Sequence, residues 1–244
     1  MCDDWMPLIT LPLTHEQFQQ LPRNAAYRYE FLENQCFLSP RPKHYHALLD
    51  LRTVPPSDHA GHVRTLLEDD FAGLVRLFSG VFRTIQPYGS LDDATRIQAS
   101  RQALERTRSG GDGPLIASAS FVASQDKEPV GAILITLLPL GDPCDWDSYH
   151  WKEQPPADSI TRRLGRPHLT WIFVSPITAG QGIGTSLLSA AARELQALGY
   201  TELLSTFMLG NDSSMLWHWR NGFRLLAHPG SHRLMRDRLQ ARQS

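Results

Sequence analysis

Cysteine is scarce in this chain of 244 residues: Cys2, Cys36 and Cys144 are the whole complement. Their odd number and wide spacing exclude a disulfide framework and a zinc-ligand pattern, and fit a reducing interior. An excess of charge is missing too. The formal net charge is -1, which argues against a nucleic-acid binder held by bulk electrostatics. Long hydrophobic runs are absent: the stretch from Val130 to Leu140 contains Pro139 and falls well short of the ~20 residues that span a bilayer. The opening MCDDWMPLITLPL carries acid where a signal peptide has a basic region. These absences together predict a cytoplasmic protein with no membrane partner. What remains, 41% hydrophobic and 20% charged residues, is an ordinary globular composition with enough chain to bury a sizeable core.

The first 60 residues read differently from the rest. Thr14 with Gln17 predicts a short capped helix over Glu16 to Leu21, and aromatic alternation from Tyr27 to Leu38 predicts a hairpin turning at Glu33-Asn34. Pro55-Pro56-Ser57 marks a joint. We therefore expect an N-terminal extension over 1–60 and a main domain over 61–244. In that domain HVRTLL reads as a strand, and Phe71, Leu74, Val75, Phe78 and Phe82 form one helical stripe over Asp69 to Phe82. A second helix runs from about Asp92 to Thr107. The strands LIASASFVAS and PVGAILITLLP follow, joined by a polar turn at Gln125 to Glu128. An irregular insertion over 141–166 precedes HLTWIFV, a strand of the kind buried on both faces. A helix from Thr185 to Leu198 stops at Gly199. The strand TELLSTFML, a short helix from Ser213 to Arg220 and a final hairpin turned at Pro229-Gly230 complete the chain.

The informative stretch is AGQGIGTSLL, Ala179 to Leu188, between a strand and a helix. A glycine loop that becomes the first turn of a helix presents unpaired N–H groups at the positive end of the helix dipole, where an anion belongs. Gly180, Gly182 and Gly184 let the backbone approach a diphosphate closely. Neither familiar nucleotide pattern fits. The dinucleotide fingerprint's third glycine is not in place, and the phosphate loop of nucleotide hydrolases needs a lysine, of which there is none after Lys152.

VSPITAGQGIGTSLL, Val174 to Leu188, resembles motif A of the GNAT N-acetyltransferases. NDSSMLWHWRNGF, Asn211 to Phe223, is similar to that family's motif B, with Asn211, Ser214, Gly222 and Phe223 at the family spacing. The resemblance covers roughly residues 62 to 235. It implies an α/β (α+β) fold with a central, mostly antiparallel sheet splayed between the domain's fourth and fifth strands and flanked by helices. It also implies an acetyl-CoA site without metal. The diphosphate would lie on Ala179, Gly180, Gln181, Gly182, Ile183, Gly184 and Thr185, and the pantetheine would pair with the backbone of Phe173 and Val174. Asn211 would orient the acyl-CoA. The activity implied is acetyl transfer to a primary amine.

The chain departs from the family at two places. Ala179 stands where Arg or Gln is usual, which leaves the backbone donors in place. His218 stands where the family's Tyr protonates the leaving thiolate. An imidazole, with a free pKa of about 6.5, suits that task, or His218 is simply packed between Trp217 and Trp219. The base position corresponds to His168, which is otherwise an ordinary strand-edge histidine. The departures keep a second reading open, an acyl-CoA-binding module without turnover.

Three further features of the sequence bear on function. The insertion carries Asp142, Asp145, Asp147, Glu153 and Asp158 among Trp146, Tyr149 and Trp151, either as a lid over an amine pocket or as a solvated loop. His44, His46, His59 and His62 lack a carboxylate or thiol to complete a metal shell, so no metal is expected. Residues 14 to 46 resemble the opening of the Uma-type restriction endonucleases, but the Asp and Glu-x-Lys that would hold a nuclease metal do not follow, and the segment is expected to be a structural cap.

Overall fold

The reciprocal box at Thr14 forms as expected. Its hydroxyl accepts from the Gln17 N–H, the Gln17 side chain accepts from the Thr14 N–H, and α1 spans His15–Gln20. The computed structural model describes residues 9–21, 27–40, 44–57, 62–85, 87–143, 149–208 and 211–226. β2 (Tyr27–Leu32) and β3 (Gln35–Pro40) pair across Glu33 and Asn34. Both turn residues have positive φ, 49° and 59°, the geometry whose twist matches paired strands. β1 (Ile9–Leu11), unassigned from sequence, adds to the other side of β3. The three make a small sheet in the order β1-β3-β2.

Among the described residues the main sheet has seven strands. They are β4 (His44–Asp50), β5 (His62–Thr65), β6 (Phe121–Gln125), β7 (Glu128–Pro139), β8 (Gly165–Val174), β9 (Glu202–Met208) and β10 (Arg224–Leu225), in the spatial order β10-β4-β9-β8-β7-β6-β5. Every neighbouring pair is antiparallel except β8 with β9. The boundary expected at residue 60 therefore cuts through the fold rather than around it. β4 lies before that boundary, yet it pairs with β9 from His44↔Met208 to Asp50↔Glu202. Ala47, Leu48 and Leu49 are buried in succession, as in an interior strand covered on both faces. That continuous run was the available signal.

Among the described residues four helices flank the sheet: α2 (Asp70–Val81), α3 (Asp93–Arg108), α4 (Ile183–Ala197) and α5 (Asp212–Arg220). One apolar layer lies between the sheet and α2, α3, where Phe78 meets Phe82, Tyr88, Trp171 and Phe173 at ring-centroid distances of 4.3 to 5.2 Å. The other lies under α4, whose Leu187, Ala191 and Leu195 are fully buried against Ile133, Ile135 and Leu203. Truncating such a leucine to alanine costs about 2–5 kcal/mol.

β6 is shorter than the strand expected over Leu115 to Ser124. Ser120 interrupts it, its hydroxyl donating to the Ile116 carbonyl while accepting from the Ile135 N–H, and a 3-10 turn forms at Ala117–Ala119. The insertion is tied down by Trp151, whose Nε1 donates to the Leu137 carbonyl at 2.8 Å. Cys144, Asp145, Trp146 and Asp147 lie outside the described residues, as do Cys2, His59 and the turn at Pro229-Gly230.

Candidate active site

β8 and β9 share only two paired positions, His168↔Leu204 and Leu169↔Ser205. Beyond Leu169 the strands part. The edge of β8 that faces β9 is then open from Thr170 to Val174, the splay that the family resemblance implied. The side chain of Phe173 is sunk in the layer under α2 and α3, so only its backbone is available to a ligand.

Past Val174 the chain turns through Pro176–Thr178 and enters the glycine loop. Gly180 and Gly182 have φ of 81° and 80°, left-handed values that side chains resist. Gly182 caps α4 without any side-chain bond. Ser186 is the first residue of α4 to close a helical bond, to the Gly182 carbonyl at 2.9 Å. The amides of Ile183, Gly184 and Thr185 thus form the open end of the helix. At Gly184 a Cβ would lie 2.9 Å from Trp217 Nε1, so the missing side chain also makes room for α5. Thr185 Oγ1 donates to Asn221 Oδ1, a second tie between α4 and α5. Asn211 caps α5 by accepting from the Ser214 N–H at 3.1 Å.

The loop, the open strand edge and both histidines line one groove of about 2320 Å³. Of the residues expected to bind cofactor, Phe173, Val174, Ala179, Gly180, Gly182, Ile183, Gly184, Thr185 and Asn211 are in its wall; Gln181 is exposed and is not. His44, His46, Tyr149 and residues 150–156 line it too. The insertion therefore lies along the groove, with Tyr149 edge-on to His46 at 4.5 Å. Among its described acids Asp142, Glu153 and Asp158 are exposed.

The two imidazoles stand on opposite faces of β9, because Ser205 and Thr206 are successive residues of one strand. His168 Nε2 lies 2.9 Å from Thr206 Oγ1 and its Nδ1 3.0 Å from Thr170 Oγ1. Thr206 also meets His46 Nδ1 at 2.9 Å, and Thr170 meets Thr136 at 2.8 Å. A chain of hydroxyls and imidazoles so crosses β4, β9, β8 and β7. Burial, reinforced by the neighbouring His46, pushes the His168 pKa down to about 3, so the ring is neutral at pH 7.

His218 is 3% exposed. It stacks on Phe207 at 4.5 Å and meets Trp217 and Phe223 edge-on, whereas Trp219 points to solvent. Its Nδ1 lies 2.7 Å from the Ser214 carbonyl. A carbonyl only accepts, so Nδ1 carries the proton and Nε2 is left as an acceptor. The Ser205 hydroxyl, 2.7 Å from Nε2, donates to it. Burial holds the pKa down at about 4, opposed by the Ser214 carbonyl. The acid role implied by the resemblance therefore does not fit a direct donation: the single proton of the neutral ring is spent on the backbone. Ser205 and Thr206 were not singled out from sequence, and His46 was weighed there only as a metal ligand. The signal was the polar pair Ser205-Thr206 inside the apolar strand ELLSTFM. Among the described residues no three potential ligands gather to hold a metal, and no helix is long and apolar enough to cross a membrane.

The chain has partial likeness to several solved structures. An aminoglycoside antibiotic 6′-N-acetyltransferase from Acinetobacter haemolyticus is 16% identical, with a TM-score of 0.43, over 67% of this chain and 90% of its own. A GNAT family acetyltransferase from Brucella melitensis in complex with acetyl-CoA is 20% identical, with a TM-score of 0.45, over 69% and 88%. The PaiA N-acetyltransferase from Thermoplasma acidophilum in complex with coenzyme A is 16% identical, with a TM-score of 0.46, over 70% and 93%. No curated protein matches the sequence. The profile of the acetyltransferase (GNAT) family matches residues 92–223, more than half of the chain, from the start of α3 to the end of α5. The splayed sheet, the glycine loop at the head of α4 and that match agree, and the chain belongs to the acetyltransferase (GNAT) family.

Proposed function

We propose that the protein transfers an acetyl group from acetyl-CoA to a primary amine by direct attack in a ternary complex. The observation that carries this reading is the parting of β8 and β9 beside the uncapped N-terminus of α4. The amides of Ile183, Gly184 and Thr185 hold the CoA diphosphate. The open backbone of Phe173 and Val174 pairs with the pantetheine amides, and the thioester reaches the point where the strands meet. The amine approaches along the part of the groove lined by His46, Tyr149 and His168. Most of the rate comes from orientation. A primary ammonium must lose one proton before it can attack. His168, kept neutral above about pH 3 by burial, offers a lone pair in the Thr170–Thr206 hydroxyl chain for that proton.

One observation favours a second reading, an acyl-CoA-binding module without turnover: His218, at the family's acid position, has no proton free for the thiolate. Calorimetric titration with acetyl-CoA, CoA and ADP tests the cofactor, and thiol release in the presence of amines tests the transfer. Saturable binding of acetyl-CoA and CoA, tighter than ADP, together with amine-dependent thiol release supports the enzyme. Binding without release for every amine tried supports the module, and no binding sinks both.

A further inference from the structure

Two protons must be accounted for in such a transfer. The first leaves the ammonium before attack. The second remains on nitrogen when the amine adds to the thioester carbonyl, and it has to reach sulfur as the tetrahedral adduct collapses to amide and CoA thiol. The groove holds a device suited to the second. Ser205 is the last residue of β9 paired with β8, opposite Leu169, so it marks the vertex of the opening that receives the thioester. It is 1% exposed, and both Ser205 and His218 line the groove. Its hydroxyl donates to His218 Nε2 at 2.7 Å, and Nδ1–H of the same ring is held by the Ser214 carbonyl at 2.7 Å. A hydroxyl, an imidazole and a group that fixes the tautomer is the arrangement by which proteins make a neutral ring take a proton through an oxygen.

We propose that Ser205 and His218 act as one proton shuttle between the attacking nitrogen and the CoA sulfur, with Ser205 as the atom that touches the reacting groups. As the adduct forms, its N–H proton passes to Ser205 Oγ while the Ser205 proton passes to His218 Nε2. The imidazolium keeps its Nδ1–H on the Ser214 carbonyl. When the C–S bond breaks, Nε2 returns its proton to Ser205 Oγ, which gives one to the thiolate. The enzyme ends as it began, and nitrogen has lost the proton that sulfur has gained. His218 thus serves the acid step only after first acting as a base, which resolves the mismatch at the family's tyrosine position. The same pair has the elements of a nucleophile and its base. The near-complete burial of Ser205 favours the shuttle, because relaying a proton needs only one hydrogen-bond contact, whereas an acetyl ester needs room around the oxygen.

This inference rests on the proposed transferase reading, and its first test needs no acceptor. Protein carrying 15N-labelled histidine is titrated with CoA and with ADP, which has no thiol. The His218 Nε2 resonance should move with CoA, stay still with ADP, and stay still with CoA in Ser205→Ala. Saturable CoA binding with no movement in the wild type overturns the contact between Ser205 and sulfur. In turnover, with spermidine and kanamycin as amine probes, Ser205→Ala and His218→Gln should each lower kcat about 10²–10⁴-fold while KM for acetyl-CoA holds. The double variant should lose no more than either single change, as residues acting as a unit do. Ser205→Cys, which keeps a proton-bearing atom in place, should recover part of the rate. Wild-type turnover in Ser205→Ala, or an acetyl adduct on Ser205 in the intact mass of quenched protein, overturns the shuttle. A resonance that moves in a protein that acetylates neither probe upholds the contact and counts against the transfer reading.

Discussion

Acidification should loosen this fold through His218 in particular. The ring sits in an aromatic cage with its Nε2 accepting from Ser205, and burial holds its pKa at about 4. In the unfolded chain the same ring titrates near 6.5. Between those values the unfolded state binds the proton and the folded state resists it. Stability is therefore fully present above pH 6.5, falls as pH drops through this window, and the loss is complete below about pH 4. At 1.36 kcal/mol per pKa unit the loss between pH 7 and pH 4.5 is about 2 kcal/mol from this one group. The assay is urea unfolding of the wild type and His218→Gln at pH 7.0, 5.5 and 4.5. The variant has its own baseline stability, so the comparison is of slopes, and other groups that titrate alike in both proteins cancel. The variant should lose about 2 kcal/mol less than the wild type over that range. Parallel slopes would refute the reasoning and mean that the folded ring takes up its proton freely.

Three other outcomes follow from contacts described above. Gly184→Ala should push Trp217 away and cost about 1–3 kcal/mol by overpacking, with weaker CoA binding by calorimetry as α5 shifts; an unchanged melting temperature would contradict the close approach. Thr206→Val keeps the shape but removes the hydroxyl between His46 and His168. It should cost about 1–3 kcal/mol in unfolding experiments, the penalty of leaving buried polar groups unpaired. Deleting residues 1–43 should leave a protein that melts cooperatively, whereas deleting 1–60 removes β4 with its buried Ala47, Leu48 and Leu49 and should abolish the cooperative melt in circular dichroism.

Local rules made much of this fold legible. Thr14 and Gln17 lie three residues apart, Glu33-Asn34 lies between alternating runs, and the α2 stripe repeats with the period of a helix, so each could be read from a short window. The glycine loop was equally local. β4 was missed because its partners are β9 and β10, far along the chain, and the Pro55-Pro56 joint suggested an end where the sheet had already begun. The roles of Gly184 and His218 depend on how α5 crosses α4 and β9. Trp217 next to Gly184 and Ser205 next to His218 are contacts between elements, set by how those elements cross and not by any local pattern. The family pattern found the position of His218 but not the direction in which its protons point.

The seat of β4 between β9 and β10 also bears on how the chain is made. His46 bonds to Thr206, 160 residues later. At a synthesis rate of about 5–20 residues per second, β4 waits roughly 8 to 30 s before its partner strand exists. Its apolar run HALL is exposed for that interval, which gives a chaperone time to bind it. The main sheet can close only after β9 has left the ribosome. Pairings of such long range are slow to form, so the closing of this sheet should come late in folding.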